Sequence, residues 1–223
     1  MVTTQLLLPS QHIESPDMSK RDFARTTVSD TLPLMPQTPP VVLTIAGFDP
    51  SSGAGITADI KTIAAHGCYG IAAITASTVQ TTQGVRSIVP AETDLLTHTL
   101  QELAGDFQVS AVHIGMLGTG QIAASVADFL EAAKPPNIVL DTVLSSTSGT
   151  SLLDEAGIRV LRERLLPLAT VMTPNVAEAA VLSGLEISEV EEMKQAAMRL
   201  HEMGLRVWWS LGGTSRRQSI CSA

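Results

Sequence analysis

The sequence predicts one α/β domain: a mainly parallel sheet with helices on both faces. Three observations predict it. The apolar runs are continuous and β-branched rather than alternating, the pattern of strands covered on both sides. Helix-length segments separate most of them, which is how parallel strands are joined by crossovers. Finally, 44% of the 223 residues are hydrophobic, 16% are charged, and mean hydropathy is +0.24, enough to bury a sizeable core and to exclude disorder over most of the length.

The elements follow in order. Residues 1–40 are rich in Ser, Thr, Pro and Gln and end in Leu34-Met35-Pro36-Gln37-Thr38-Pro39-Pro40. Such a segment buries too little to offset its ordering entropy and is expected to be a flexible tail, stiffened by Pro39-Pro40 at its exit. Val41–Ala46 starts the strand pattern, and strands are expected again at Ile71–Val79, Ala111–Ile114, Ile138–Leu140, Val171–Thr173 and Val207–Leu211. Helices are expected at Ile56–His66, Asp94–Phe107, Gln121–Ala133, Asp154–Ala169, Val176–Gly184 and Glu189–Met203. Ser188 with Glu191 three residues on suggests a capping box for the last. No internal repeat or linker follows residue 40.

Charge narrows the function classes. Fourteen Lys and Arg against 22 Asp and Glu leave −8, so no broad basic surface serves nucleic acid or anionic lipid. Cys68 and Cys221 are too few for a disulfide framework and suit a reducing compartment. No apolar run reaches the ~20 residues of a membrane span. Leu6–Leu8 lacks the basic start of a secretory signal. A cytoplasmic protein with neither membrane nor nucleic-acid partner is expected.

The first candidate for chemistry is Gly47-Phe48-Asp49-Pro50-Ser51-Ser52-Gly53-Ala54-Gly55, between the first strand and the first helix. In open α/β sheets ligands sit beyond the carboxyl ends of strands. Three glycines let backbone N–H groups come close to a ligand at a helix N-terminus. The spacing is neither G-x-G-x-x-G nor a Walker A loop, and a purely structural turn needs the same glycines.

Several segments, taken jointly, are more specific. They are Thr44–Ile56 with Ala58-Asp59-Ile60-Lys61-Thr62, Gly67–Gly70, Thr75-Ala76, Val79-Gln80-Thr81-Thr82 and Ile114-Gly115-Met116-Leu117. Val139–Val143, Leu165-Leu166-Pro167 and Thr173–Ala179 complete the series. From Val41 to about Gly213 the chain closely resembles the hydroxymethylpyrimidine/phosphomethylpyrimidine kinases of thiamine biosynthesis, in the ribokinase-like superfamily. The resemblance implies a three-layer sandwich and ATP-dependent phosphorylation of 4-amino-5-hydroxymethyl-2-methylpyrimidine and its monophosphate. It implies ATP and Mg2+ as cofactors and leaves a homodimer open.

Matched position by position, Gly47, Asp59, Gln80, Met116 and Val143 resemble the family's substrate pocket. Gln80 would read the pyrimidine edge, since an amide offers an acceptor and two donors, and Met116 would wall the flat ring. Asp141 resembles the acid beside Mg-ATP, and Asn175 with Glu178 the N-x-x-E motif that organises magnesium and phosphates, Asp141 and Glu178 facing the metal. Phosphoryl transfer needs such groups, because positioning and charge neutralisation do most of the work. Simpler roles stay open: a first-turn helix acid for Asp59, loop polarity for Gln80, core filling for Met116, a turn cap for Asp141, and a helix cap for Asn175 and Glu178. His66, His98, His113 and His201 show no metal-ligand spacing and are expected to be structural or surface residues.

The chain departs from the family at its end. Leu211 stands where the family has Lys before Gly212-Gly213, and Thr214–Ala223 offers neither a strand nor the Gly-Thr-Gly-Cys helix opening that forms the family's anion hole. The expectation is an incomplete domain over 41–213 with a divergent tail at 214–223, no catalytic residue assigned, and Cys221 not a substitute. Two alternatives to the kinase therefore stand, a non-catalytic pyrimidine-binding relative and a pyridoxal-type kinase. Losing one preorganised donor commonly costs ~10²–10³ in rate. Under this reading the 223-residue chain releases ADP far more slowly, in a coupled assay with Mg-ATP and hydroxymethylpyrimidine, than a version extended by a family-like C-terminal segment. Comparable rates would refute it.

Overall fold

The computed structural model describes residues 38–146 and 149–205, with the backbone alone of 207–210 and 219–222. Residues 1–37 of the expected tail, and most of 214–223, lie outside the described residues. Thr38–Ala223 is one compact unit.

Eight strands form one sheet in the order β3-β2-β1-β4-β5-β6-β7-β8. They are β1 (Val41–Phe48), β2 (Tyr69–Thr81), β3 (Gly84–Pro90), β4 (Val109–Ile114), β5 (Ile138–Leu140), β6 (Val171–Met172), β7 (Val207–Ser210) and β8 (Ser219–Ser222). All neighbours pair parallel except β2–β3 and β7–β8, at the two edges. The helices are α1 (Gly55–Ala65), α2 (Thr93–Asp106), α3 (Gly120–Ala133), α4 (Glu155–Val160), α5 (Leu166–Leu168), α6 (Val176–Ser183) and α7 (Val190–Glu202). A π-helical turn, Leu161–Leu165, joins α4 to α5.

Strand alternation assigns the faces. Leu43 and Ile45 of β1 stand level with Ile71 and Ala73 of β2 and near Val112 and Ile114 of β4, and all six belong to one buried cluster with Leu96 and Leu100 of α2 and Ile122, Val126 and Leu130 of α3. The opposite parity carries α1: a Cβ at Gly70 would lie 2.8 Å from Ile60 Cδ1 and 3.3 Å from Ile63 Cγ2, so Gly70 lets α1 lie close on the sheet. Helices cover both faces, as the sequence predicts. Each fully buried Leu or Ile in the cluster contributes about 1.5–3 kcal/mol relative to exposure.

Two strands were not predicted. β3 is exposed along most of its length, carries Arg86 and Ser87, and ends in Pro90; its hydrogen bonds to β2, not its composition, define it. The reading of 214–223 as free of strands is also corrected, because the backbone of Ser219–Ser222 pairs antiparallel with β7. A four-residue edge strand needs little local propensity once a partner offers free N–H and C=O groups. The cap of α7 is shifted by one residue: Ser188 N, Ser188 Oγ and Glu189 N all donate to Glu192 Oε2, at 2.6, 2.7 and 3.0 Å.

The start of α3 depends on a neighbour. Asp154 Oδ1 accepts from Gly157 N at 2.7 Å, capping α4, and from Gly120 N at 3.0 Å. A Cβ at Gly120 would meet Ala156 Cβ at 2.7 Å, so the helices touch through glycine. One carboxylate thus serves two helix starts. Asp154→Ala is expected to lower stability by about 1–2 kcal/mol in denaturant unfolding, and Asp154→Asn by less; equal losses would show that capping is not the cause.

Candidate active site

The loop after β1 is built around a buried carboxylate. Asp49, 3% exposed, accepts at Oδ1 from Ser51 N and Ser51 Oγ, both 2.7 Å, and at Oδ2 from Gly53 N at 3.1 Å and Ala54 N at 3.0 Å. Burial pushes its pKa up, but the donors from Ser51, Ala54 and Gly53 outweigh this and hold it below the usual carboxylate range. Gly55 closes the loop at φ +57, and a Cβ there would collide with the Gly47 carbonyl oxygen. Only glycine fits both demands.

Gly47 is buried where the β1–β2 register shifts, after Ala46. A Cβ on it would lie 2.6 Å from Met116 Cε, so the thioether packs on the bare backbone. Thr75, fully buried, donates to Met116 O at 2.5 Å and fixes that residue from below. From β2, Gln80 Nε2 donates to Asp49 Oδ2 at 3.1 Å and Thr78 Oγ1 approaches Gln80 Oε1 at 3.3 Å. Gly47, Met116 and Gln80 therefore converge on the glycine-rich loop.

A second polar group lies on the α1 face. Thr44 Oγ1 donates to Asp59 Oδ2 at 2.7 Å, and His113 Nδ1 lies 3.5 Å from the same oxygen and 3.3 Å from Thr44 Oγ1. Burial pushes Asp59 up, but the His113 and Thr44 contacts prevail and its pKa is lowered. Across the sheet, Asp141 follows β5 and accepts from Thr173 Oγ1 at 3.0 Å. Its pKa is raised, chiefly by burial, with Thr173 and His113 opposing and Asp59 adding to the rise. His113 is partly buried: β4 sets it beside Thr44 and Asp59, and its charge also bears on Asp141. The other predicted histidines are structural or exposed, His66 and His201 facing backbone carbonyls of Thr62 and Leu205.

Asn175 and Glu178 do form the helix cap. Glu178 N donates to Asn175 Oδ1 and Asn175 N to Glu178 Oε2, each at 2.9 Å, and Thr142 Oγ1 adds a bond to Oε2 at 3.1 Å. Glu178 is 8% exposed; burial raises its pKa over these hydrogen bonds, and Asp141 adds to the rise. Val143 lies two residues beyond Asp141, half-buried, its N–H bonded to Asp141 O at 3.0 Å. Among the described residues no three His, Cys, Asp or Glu side chains converge as a metal site. Asp141 is half-buried and Glu178 buried, and the Asp141 charge adds to the upward push on Glu178. That donor pair fits a magnesium ion, which usually takes one or two carboxylates and completes its shell with phosphate and water.

Sequence reasoning missed Asp49 and His113 as members of this arrangement. Asp49 had a signal, Asp-Pro-Ser-Ser-Gly being a turn in which the Asp side chain binds backbone two residues on. His113 had none, since its partners are 54 and 69 positions away. A groove of about 400 Å³ between α2 and α3, lined by Thr97, Gln101 and Phe129 among others, contains none of these residues.

The glycine-rich loop, the Gln80 amide and Asp141 thus lie at or beyond the carboxyl ends of parallel strands, where open α/β sheets place their ligands. The chain belongs to the phosphomethylpyrimidine kinase family, whose pattern matches residues 49–219. It is 40% identical over 173 residues to the hydroxymethylpyrimidine/phosphomethylpyrimidine kinase of Aquifex aeolicus, covering 78% of this chain and 68% of that protein. The Escherichia coli protein of the same name is 41% identical over 172 residues, covering 77% and 65%. The chain thus spans about two thirds of these relatives' length. Among solved structures, phosphomethylpyrimidine kinase from Clostridium difficile superposes with TM-score 0.76 at 32% identity over 82% of this chain and 80% of that one. Pyridoxal kinase from Staphylococcus aureus in complex with pyridoxal gives 0.72 at 32% over 79% and 66%.

The raised pKa of Asp141 has a consequence for stability. The folded state holds this proton more tightly than the unfolded chain, so the group's contribution is full below the ordinary aspartate pKa and is lost as pH rises through the folded value. Asp141→Asn keeps an acceptor for Thr173 and removes the charge. Its melting temperature is expected to gain on the unsubstituted chain as pH rises from acid to neutral, and a pH-independent difference would refute the assignment.

Proposed function

We propose that the chain is a phosphotransferase that moves the terminal phosphoryl group of ATP to the hydroxymethyl oxygen of 4-amino-5-hydroxymethyl-2-methylpyrimidine, and then a second phosphoryl to the monophosphate. The observation that carries this reading is the convergence of Gln80, through Asp49, with the Gly47–Met116 contact at one end of the sheet. Family membership and the names of the relatives at about 40% identity support it.

In this reading Met116 and the bare backbone of Gly47 form a wall for a flat ring. Gln80 offers hydrogen bonds to the ring edge, and Asp59, held by Thr44 and His113, presents its carboxylate from α1. Val143 borders the pocket beyond Asp141. The start of α6, with its cap intact, places Glu178 near Asp141, and these two carboxylates would hold a magnesium ion whose charge screens the phosphates of ATP. The chain's own part is positioning and charge balance, which is the larger share of catalysis in phosphoryl transfer. The same reading places the protein in the cytoplasm, among small-molecule partners, with a homodimer left open.

A pyridoxal-type kinase is the second reading, favoured by the likeness to the Staphylococcus aureus pyridoxal kinase bound to pyridoxal. Calorimetry decides between them. Hydroxymethylpyrimidine is expected to bind more tightly than pyridoxal, and Gln80→Ala to weaken it by about 1–3 kcal/mol with the fold intact. Unchanged affinity in Gln80→Ala would remove Gln80 from the site, and tighter pyridoxal binding would favour the second reading.

A further inference from the structure

The orientation of the Gln80 amide is fixed by the unliganded protein. The β2–β3 register shifts between Val79 and Gln80, and such irregularities re-aim the side chain that follows. The re-aimed amide meets Asp49, whose Oδ2 already takes Gly53 N and Ala54 N and accepts Gln80 Nε2 at 3.1 Å. On the other side Thr78 Oγ1 approaches Gln80 Oε1 at 3.3 Å while also reaching Phe48 O at 3.0 Å. An ionised carboxylate only accepts hydrogen bonds, and the four loop donors keep Asp49 ionised. If the amide turned over, Oε1 would face Oδ2, two acceptors in contact, and a hydrogen bond to a charged group would be lost.

One N–H of Gln80 is therefore committed to Asp49. The second N–H and the remaining lone pair of Oε1 stay available, in a fixed order. That order matters for a pyrimidine. A 4-amino ring presents an exocyclic donor beside a ring-nitrogen acceptor; a 4-oxo ring presents an exocyclic acceptor beside a ring N–H donor. A freely turning amide matches both edges, whereas a fixed one matches only one.

We infer that Asp49 is a specificity-determining positioning residue: by preventing the Gln80 amide from turning over, it makes the site choose the 4-aminopyrimidine edge over the 4-oxo edge. The inference rests on the proposed placement of Gln80 against the ring. Asp49 itself touches the loop and Gln80, and acts through Gln80.

The test uses the full chain and two probes, 4-amino-5-hydroxymethyl-2-methylpyrimidine and its 4-oxo counterpart, titrated calorimetrically. The unsubstituted chain is expected to prefer the amino probe by about tenfold or more, because a site that hydrogen-bonds one edge leaves polar groups unpaired against the other. Asp49→Asn, which can present either an oxygen or an N–H to Gln80, is expected to bring the two affinities together; Asp49→Glu restores an acceptor and is expected to recover part of the preference. If Gln80→Ala binds the amino probe normally, the pocket reading fails and this inference falls with it. If Gln80→Ala loses binding while folded Asp49→Asn keeps the full preference, the inference alone is overturned. Should both Asp49 variants fail to fold, amide exchange in the unsubstituted chain decides. The Gln80 side-chain signals, assigned by their loss in Gln80→Ala, are expected to show one hydrogen exchanging more slowly than its twin before ligand is added; equal exchange of the two hydrogens would overturn the inference.

Discussion

Five hydrogen bonds converge on the carboxylate of Asp49: Ser51 N, Ser51 Oγ, Gly53 N and Ala54 N from its own loop, and Gln80 Nε2 from β2. Each of the four loop donors would otherwise need a partner in a segment that belongs to neither strand nor helix. By gathering them at one buried point, the loop keeps its path from Gly47 to the start of α1 and ties itself to the far end of β2. The Thr57 hydroxyl adds a bond to Asp49 O at 2.8 Å from inside α1. Loop, strand and helix are therefore held as one body, and Met116 packs against it at Gly47. A network of this kind is valuable only when fully satisfied, because a partly paired buried carboxylate destabilises more than it orders.

The arrangement on the α1 face has a different logic. Thr44 and His113 sit level with each other on β1 and β4, and α1 lowers Asp59 between them. Asp141 stands further along the same face and feels both His113 and Asp59. The pocket side and the phosphate side of the proposed site thus share one electrostatic environment, in which the His113 imidazole acts on both carboxylates. A change at either acid alters the charge seen by the other, so substitutions there are not expected to act independently.

The sheet was legible in the sequence because burial on both faces leaves an unmistakable imprint: Val41–Ala46, Ile138–Leu140 and Val171–Thr173 are apolar runs that have no solvent side to encode. The helix starting near Val176 was legible through Asn175 and Glu178, whose capping pattern is local. What escaped was set by partners distant in the chain. β3, Gly-Val-Arg-Ser-Ile-Val-Pro, lacks both a continuous apolar run and a clean alternation, and β8 is four residues with no pattern of its own. His113 reads as an ordinary strand residue until Asp59, more than fifty positions earlier, is folded against it. Asp49 was quoted within the loop, yet its part as organiser depends on Gln80, which reaches it only because β2 runs parallel to β1 and extends past it. The resemblance to pyrimidine kinases supplied the candidate roles that spacing alone left ambiguous, as with Asp59 and Met116.

Four acids in this region fall into two pairs by environment. Asp49 and Asp59 have donors enough to overcome burial and are held low. Asp141 and Glu178 also accept hydrogen bonds, from Thr173 and from Asn175 and Thr142, but these do not compensate for burial, to which the Asp59 charge adds at Asp141 and the Asp141 charge at Glu178. A fold selected for stability alone would replace one of the second pair with an amide, since neighbouring buried carboxylates raise the free energy of the native state. Sites that handle charged ligands accept such a cost, because an added cation turns the repulsion into attraction. The first pair therefore fixes shape, and under the proposed function the second pair would take up positive charge. This division matches a reaction in which a neutral ring must be held in one orientation while a polyanion is brought to it.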